Sequence, residues 1–228
     1  MIFFDLDGTL LDSNGLWIRI DETFLALRGI SSVPQDYIEY VTNHVAPKAA
    51  AYTKERFQLE ESAEEILKEW QSMATKAYCN ELPLKKGALE LLESLKQEDV
   101  PMCLLTACIP ELCYGALENH GISSYFKTVH TAIELGMDKR DKELFPLVAN
   151  LQGKHPSECI LIDDAIDYCS AAKAAGFTVY GIHDSNTSQT KAPLKDVCDD
   201  FVEDLTKLSA KMLKDKCKSL EEAYRGTL

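Results

Sequence analysis

Two carboxylates separated by a single residue stand near the start of the chain. Asp5 and Asp7 follow the apolar run at residues 1–4, which is typical of a strand buried on both faces. Gly8 and Thr9 then end the strand pattern. If the chain is still extended at this point, the two acids share a face, and their repulsion calls for a cation between them or a retained proton. The pair therefore predicts either a divalent metal site or an acid/base pair.

A second acidic pair occurs late in the chain. Asp163 and Asp164 follow the apolar segment 158–162, in the same way that Asp5 and Asp7 follow the first strand. Acids that follow an apolar strand can also cap a helix and interact with its dipole. Open α/β sheets bind ligands at the carboxyl ends of their strands, so we expect both pairs at one edge. Oxygen ligands of this kind suit Mg²⁺.

The elements that would position these acids alternate from about Pro83 onward. Apolar runs predict strands at 101–106, 126–130, 158–162, 177–182 and 201–202, and helical patterns predict helices at 87–96, 110–120, 142–151, 166–175 and 205–224. Strands that alternate with helices favour a parallel sheet with right-handed crossovers. The fold class predicted from this order is α/β.

The segment between the first strand and Pro83 has a different pattern. Helical spacing recurs at 16–27, 37–41 and 62–77, the last opened by a capping box from Ser62 to Glu65, and we find no convincing strand. We therefore predict an α/β core from residues 1–13 and 83–228, with a helical domain inserted at 14–82. The two crossings between them would serve as hinges.

The composition argues against several classes of protein function. The 228 residues carry a net charge of −13, which argues against nucleic acid as a partner. No apolar run is long enough to span a bilayer, and no secretory leader is visible. The eight cysteines include no C-x-x-C pair, so a zinc site is not expected and reduced thiols are the default. We expect a cytoplasmic monomer.

The first motif resembles that of the haloacid dehalogenase-like (HAD) superfamily, Asp-x-Asp-Gly-Thr followed by Leu-x-Asp-Ser, here at residues 5–13. Three later segments are similar to the other HAD motifs: Thr106 after an apolar strand, Lys139 in the stretch 139–145, and the Asp163–Asp164 pair. The resemblance covers the whole chain and is closest to subfamily IA, the phosphoglycolate phosphatase and β-phosphoglucomutase branch. It implies a Rossmann-like parallel-sheet core with an inserted all-α type-1 cap.

The resemblance also implies roles for the acids. Asp5 would be the nucleophile that forms an aspartyl phosphate, and Asp7 the general acid and then base. Mg²⁺ would be held by Asp5, by the backbone carbonyl of Asp7 and by Asp164, with Asp163 acting directly or through water.

The same resemblance implies a phosphate-binding set. The hydroxyl of Thr106 and the N–H of Ala107 would contact phosphate oxygens, although the family often has Asn where this chain has Ala107. Lys139 would supply the fixed cation, with Lys142 as the alternative. His44 and Lys48, in the polar stretch after the second cap helix, are candidate contacts to the substrate.

The resulting functional prediction is a magnesium-dependent phosphatase that hydrolyses a small phosphorylated metabolite. A β-phosphoglucomutase-type phosphosugar mutase and a receiver-like phospho-acceptor module are the alternatives, while a dehalogenase would lack Asp7. In β-phosphoglucomutases a His lies ten residues after the general acid, and this chain has Trp17 there. An indole cannot handle a sugar proton, so Trp17 favours hydrolysis whether it faces the substrate or packs in the cap core.

Overall fold

A parallel sheet organises the chain in the computed structural model, which describes residues 1–42, 44, 46–184 and 191–226. Its spatial order is β3-β2-β1-β4-β5-β6, and all five pairings are parallel. The strands are β1 (Ile2–Phe4), β2 (Met102–Thr106), β3 (Thr128–Thr131), β4 (Ile160–Asp163), β5 (Thr178–Ile182) and β6 (Asp200–Val202). The predicted α/β fold class is confirmed.

Strand β1 lies at the centre of the sheet, between β2 and β4. Phe3 is opposite Cys103 on one side and Leu161 on the other, and all three residues of β1 are fully buried. This explains why three apolar residues suffice for the strand: both of its edges are paired and both of its faces are covered. The strand order reverses beside β1, which places a ligand-binding crevice at the carboxyl ends of β1 and β4.

Helices supply the rest of the regular structure. They are α1 (Leu16–Ala26), α2 (Gln35–Thr42), α3 (Ala46–Phe57), α4 (Ala63–Lys76), α5 (Ala88–Gln97), α6 (Pro110–Asn119), α7 (Leu144–Leu151), α8 (Ile166–Ala174), α9 (Lys191–Val197) and α10 (Ala210–Arg225). A π-helical turn, Ala77–Glu81, follows α4. Within the described residues, no helix is long and apolar enough to cross a membrane.

Backbone contacts divide the chain into two compact units. One is Met1–Asn14 with Leu82–Leu228, and it contains the whole sheet; the other is Gly15–Glu81, and it is all-helical. We refer to them as the sheet unit and the helical unit. The proposal that the helical unit is a cap rests on the family resemblance described above.

Aromatic side chains fill the core of the sheet unit beside the central strand. The ring of Phe177 lies 5.5 Å from that of Phe3 and 5.4 Å from that of Phe145. Phe145 belongs to α7, and the next residue, Pro146, is still in the first turn of that helix. A first-turn N–H has no intrahelical partner, so proline costs no hydrogen bond there.

The helical unit differs from its prediction in one element. The helical spacing in the sequence predicts no helix between 41 and 62, but residues 46–57 form α3. Pro47 occupies the first turn, where proline is tolerated, and three alanines follow, with the highest helix propensity of any residue. The predicted capping box from Ser62 to Glu65 is confirmed at the start of α4.

Candidate active site

Asp5 emerges from the carboxyl end of the central strand into the crevice. Its backbone N–H donates to the carbonyl oxygen of Ile162 at 3.0 Å, which continues the pairing with β4 for one more residue. Its side chain is almost fully buried. The first acid of the sequence motif is therefore fixed beside the last residue of β4, Asp163.

A tight turn follows and returns the chain toward β4. The N–H groups of Leu10 and Leu11 both donate to the carbonyl oxygen of Leu6, at 2.9 and 2.8 Å. Gly8 has φ +79°, a left-handed conformation that side chains disfavour. A Cβ atom at Gly8 would also clash with the carboxylate of Asp164. The glycine is therefore required both by the turn and by the close approach of this acid.

Three carboxylates meet at this edge of the sheet. Oxygens of Asp5, Asp163 and Asp164 lie within 4.8 Å of one another, and all three side chains are buried. Carboxylate oxygens grouped in this way suit a hard divalent cation such as Mg²⁺. The carboxylate of Asp7 is not one of these three groups, and a metal contact from its backbone carbonyl stays a prediction.

One lysine bridges two of the carboxylates. The Nζ of Lys139 donates to Asp5 and, at 2.7 Å, to Asp163, and it lies 4.9 Å from the ring centre of Tyr168. Lys139 is 1% exposed, whereas the side chain of Lys142 is 68% exposed. The structure thus brings Lys139 into the acidic cluster and leaves Lys142 at the surface.

The charges of this cluster do not balance. Burial raises the pKa of Asp5 well above its ordinary range, and the neighbouring carboxylates of Asp163, Asp164 and Asp7 raise it further against the opposing effect of Lys139. Burial and Asp163 raise the pKa of Asp164 to about 7. Burial alone would lower the pKa of Lys139, but Asp163 and Asp5 raise it above the ordinary value. A single lysine leaves excess negative charge, which a divalent cation would compensate.

Thr106 ends strand β2 next to the central strand. Its side chain is fully buried, and its Oγ1 accepts the N–H of Cys108 at 3.0 Å. A hydroxyl that accepts this bond can still donate its own proton to a phosphate oxygen. The following residue, Ala107, is exposed.

Asp7 has different surroundings from Asp5. Its side chain is half-buried, and its Oδ1 accepts the hydroxyl of Ser13 at 2.6 Å. Ser13 is the last residue of the motif that begins with Asp5. The hydrogen bond therefore joins two residues of one motif.

Three polar residues near the site were not predicted. Asn14 contacts both Asp164 and Asp184, and Lys85 contacts Asp184. Asp184 follows β5 by two residues, so the strand-end pattern that marked Asp5 could have indicated it. Asn14 and Lys85 carry no such signal, because their partners lie 150 and 99 positions away in sequence.

The candidate substrate contacts lie in the helical unit. His44 stacks on Tyr40 with ring centres 4.0 Å apart, and its Nδ1 lies 2.7 Å from the Tyr40 carbonyl oxygen. Lys48 on α3 places its Nζ 5.9 Å from the same ring. Trp17 is 47% exposed on α1, so it is not a core residue of that unit.

Comparison with known proteins decides the family. Residues 2–182 match the family model described as haloacid dehalogenase-like hydrolase. The chain belongs to this family. The predicted membership of the HAD superfamily is confirmed, and so is the prediction that the protein is an enzyme rather than a receiver-like module.

Two relatives of this HAD protein carry the name of a phosphatase. It is 27% identical to the validoxylamine A 7'-phosphate phosphatase of Streptomyces hygroscopicus over 90% of this chain and 93% of that one. It is 29% identical to a phosphoglycolate phosphatase of Vibrio parahaemolyticus over 80% and 82%.

Solved structures agree with the fold. A provisionally assigned β-phosphoglucomutase of Thermotoga maritima superposes with a TM-score of 0.81 at 21% identity, covering 94% of this chain and 98% of that one. Both phosphatases and a mutase thus occur among the similar proteins of the predicted branch.

Proposed function

We propose that this HAD enzyme is a magnesium-dependent phosphatase that hydrolyses a small phosphate monoester through an aspartyl phosphate on Asp5. The observation that carries the proposal is the contact of buried Lys139 with both Asp5 and Asp163 inside a cluster of three carboxylates. Lys139 opposes the burial that raises the pKa of Asp5, a bound magnesium ion would oppose it further, and the lysine adds positive charge where a phosphoryl group would bind.

In the first step, a carboxylate oxygen of Asp5 attacks the phosphorus atom and the bond from phosphorus to the ester oxygen breaks. Protonated Asp7 gives its proton to that oxygen, which leaves as an alcohol. The half-buried position of Asp7 and its bond from Ser13 suit a group that changes protonation state during the reaction.

In the second step, the carboxylate of Asp7 removes a proton from water, and the resulting oxygen attacks the same phosphorus atom. The bond from phosphorus to Asp5 breaks, which releases inorganic phosphate and restores the nucleophile. Asp7 ends protonated, ready for the next substrate.

The metal would be held by Asp5, by Asp164, by the backbone carbonyl of Asp7 and by Asp163 directly or through water. Magnesium bound there would offset negative charge on the transferring phosphoryl group. Thr106, the N–H of Ala107 and Lys139 would contact the phosphate oxygens from the protein side. Water exclusion by the proposed cap would strengthen each of these interactions.

The substrate class proposed is a small phosphorylated metabolite. Phosphatases named for small phosphorylated compounds among the relatives support it. On chemical grounds we keep His44 and Lys48 as proposed contacts to a sugar hydroxyl or carboxylate. All eight cysteines are free thiols, which is consistent with the predicted cytoplasmic location. That location stays a prediction. The monomeric state and the lack of nucleic-acid or membrane partners also stay predictions.

A phosphosugar mutase is the second candidate, because a provisionally assigned β-phosphoglucomutase is among the similar structures. A mutase must present a sugar hydroxyl to the aspartyl phosphate instead of water. Trp17 stands where β-phosphoglucomutases have a His, and its indole has one donor and no acceptor. This substitution favours hydrolysis.

A paired assay tests the proposal. The purified protein should release inorganic phosphate from p-nitrophenyl phosphate and from members of a phosphorylated-metabolite panel, only when magnesium is present. It should not convert β-glucose 1-phosphate to glucose 6-phosphate when primed with a bisphosphate. Formation of glucose 6-phosphate faster than phosphate release would overturn the hydrolase assignment in favour of the mutase.

A further inference from the structure

A series of hydrogen-bonded polar side chains ends at Asp164. The Nδ2 of Asn14 lies 2.9 Å from Oδ2 of Asp164 and 3.0 Å from Oδ2 of Asp184. The Nζ of Lys85 lies 2.8 Å from that same oxygen of Asp184. Four residues from four separate parts of the sequence are thus connected by hydrogen bonds, and all four lie in the sheet unit.

The chemistry of the partners fixes the orientation of the Asn14 amide. The NH₂ group of Asn14 donates to an oxygen of Asp164 and to an oxygen of Asp184, and carboxylate oxygens are the acceptors that suit an amide N–H. Each of its two N–H bonds then has one carboxylate partner. A flipped amide would instead place its oxygen against the oxygens of two carboxyl groups.

Lys85 lies at the end of this hydrogen-bonded series opposite Asp164, where it pairs with the carboxylate of Asp184. The side chain of Asp184 is fully buried, and that of Lys85 is 16% exposed. A buried carboxylate is costly unless it is paired and hydrogen-bonded. Lys85 provides the pairing, and the same Asp184 oxygen that it contacts accepts the hydrogen bond from Asn14.

The backbone holds Lys85 in place. Its N–H donates to the carbonyl oxygen of Leu10 at 2.8 Å, and Asp12 N–H donates to the carbonyl oxygen of Pro83 at 3.0 Å. These bonds flank an antiparallel bridge between Leu11 and Leu84. The segment that carries Lys85 is therefore attached to the segment that leads from the first motif to Asn14.

We propose that Asn14 is a positioning residue for the magnesium ligand Asp164, and that Asp184 and Lys85 hold its amide in the required orientation. This inference rests on the proposed magnesium site. Asn14 fixes Oδ2 of Asp164, while the hydroxyl of Thr9 makes a longer contact of 3.4 Å with Oδ1. The carboxylate is thereby oriented before the cation arrives. Gly8 is needed here as well, because a Cβ at that position would clash with the Nδ2 of Asn14.

Calorimetric titration of the purified full chain with magnesium, without substrate, tests the role of Asn14. Asn14→Leu keeps the approximate shape and removes both donors, so the dissociation constant for magnesium should rise by about 10- to 100-fold, the range typical of lost outer-shell partners. Asn150→Leu makes the same change at an exposed position on α7 and should leave the constant unchanged.

Lys85 provides a second and milder test, because its side chain reaches the surface. Lys85→Met should weaken magnesium binding, and Lys85→Arg, which keeps the cation, should restore most of it. Thermal melting of each variant in chelator reports its folding. For Asn14→Leu, phosphatase activity should recover toward wild type at saturating magnesium, as expected for a residue that positions a ligand.

The outcomes separate this inference from the proposed function. If the wild-type protein binds no magnesium, the metal site itself is wrong and the inference falls with it. If the wild type binds magnesium and folded Asn14→Leu binds it equally well, the proposed metal site stands and the role of Asn14 is overturned. Equal binding by Lys85→Met and wild type would remove Lys85 from the proposal.

Discussion

At the scale of single residues, two acids of one short motif have opposite environments. Asp5 is buried and contacts Lys139, whereas Asp7 is half-buried and contacts the hydroxyl of Ser13. The ion pair suits a group that must attack as a carboxylate, and partial exposure suits a group that must gain and lose a proton. The proposed division between nucleophile and general acid follows from these surroundings.

Asp7→Asn should slow the reaction in a way that depends on the leaving group. An alkyl phosphate releases a basic oxygen that needs the proton from Asp7, so its turnover should fall by about 10²- to 10⁴-fold. p-Nitrophenyl phosphate releases a stable anion and should lose much less. The check is a comparison of kcat for the two substrates at saturating magnesium. Equal losses would show that Asp7 acts only in structure or metal binding.

Lys139→Met should be far more damaging than Lys142→Met. Removing Lys139 leaves the buried carboxylates of Asp5 and Asp163 without their cation, a change that typically costs about 3–5 kcal/mol of stability when a buried pair is broken. We expect a lower melting temperature and loss of phosphatase activity. Lys142 is exposed, and its replacement should change neither quantity. Wild-type activity in Lys139→Met would remove this lysine from the site.

The site could be predicted only in part from these residue patterns. Asp5, Thr106, Asp163 and Asp164 each end or follow an apolar strand, and parallel strands bring such ends to one edge. The hydrogen bonds that connect Lys85, Asp184, Asn14 and Asp164 join residues as far as 170 positions apart in sequence. Such contacts depend on loop conformations that no local periodicity encodes.

At the scale of elements, the central strands were predictable because burial on both faces leaves a continuous apolar run. The helices α3 and α9 were not predicted. Residues 46–57 and 191–197 have few apolar side chains at helical spacing, so propensity and a first-turn proline were the available signals for α3. Weakly amphipathic helices are held by tertiary contacts that the sequence does not show directly.

One buried acid of the helical unit gives a prediction at this scale. Asp21 on α1 accepts the hydroxyl of Tyr37 at 2.9 Å, and burial raises its pKa to about 6. Protonation therefore stabilises the folded form: this contribution is present at low pH and is lost as pH rises from about 4 to about 6. Above pH 6 the ionised acid destabilises the folded unit.

Asp21→Asn should therefore raise the melting temperature at pH 8 and change it little at pH 4.5. The amide oxygen still accepts the Tyr37 hydroxyl, and the gain at pH 8 should be of order 1–3 kcal/mol. Asp36→Asn, at a side chain 67% exposed on α2, is the matched control and should show no comparable gain. A lower melting temperature for Asp21→Asn at pH 8 would contradict the raised pKa.

At the scale of the whole molecule, the net charge of −13 is partly concentrated at one buried site. A cation that binds the folded chain and not the unfolded chain stabilises it by mass action, by about 2.7 kcal/mol at one hundred times the dissociation constant. Magnesium should therefore raise the melting temperature, and a chelator should reverse the rise.

Asp164→Ala identifies the site of this magnesium effect. The variant should lose most of the magnesium-induced rise in melting temperature and need much more magnesium for activity. Asp167→Ala, which removes an exposed acid three residues further on, is the control and should respond to magnesium as wild type does. The same magnesium response in Asp164→Ala and in wild type would place the cation elsewhere.

The central claim is that the phosphoryl group passes through Asp5. The most direct measurement is rapid acid quench of the protein during turnover of p-nitrophenyl phosphate with magnesium, followed by mass spectrometry of the peptide that contains Asp5. We predict a phosphoryl group on Asp5 that forms within the first turnover, disappears when substrate is exhausted, and is absent in Asp5→Asn, which should be folded and inactive. Phosphate release by Asp5→Asn at the wild-type rate, or a phosphoryl group on another residue in its place, would contradict the account.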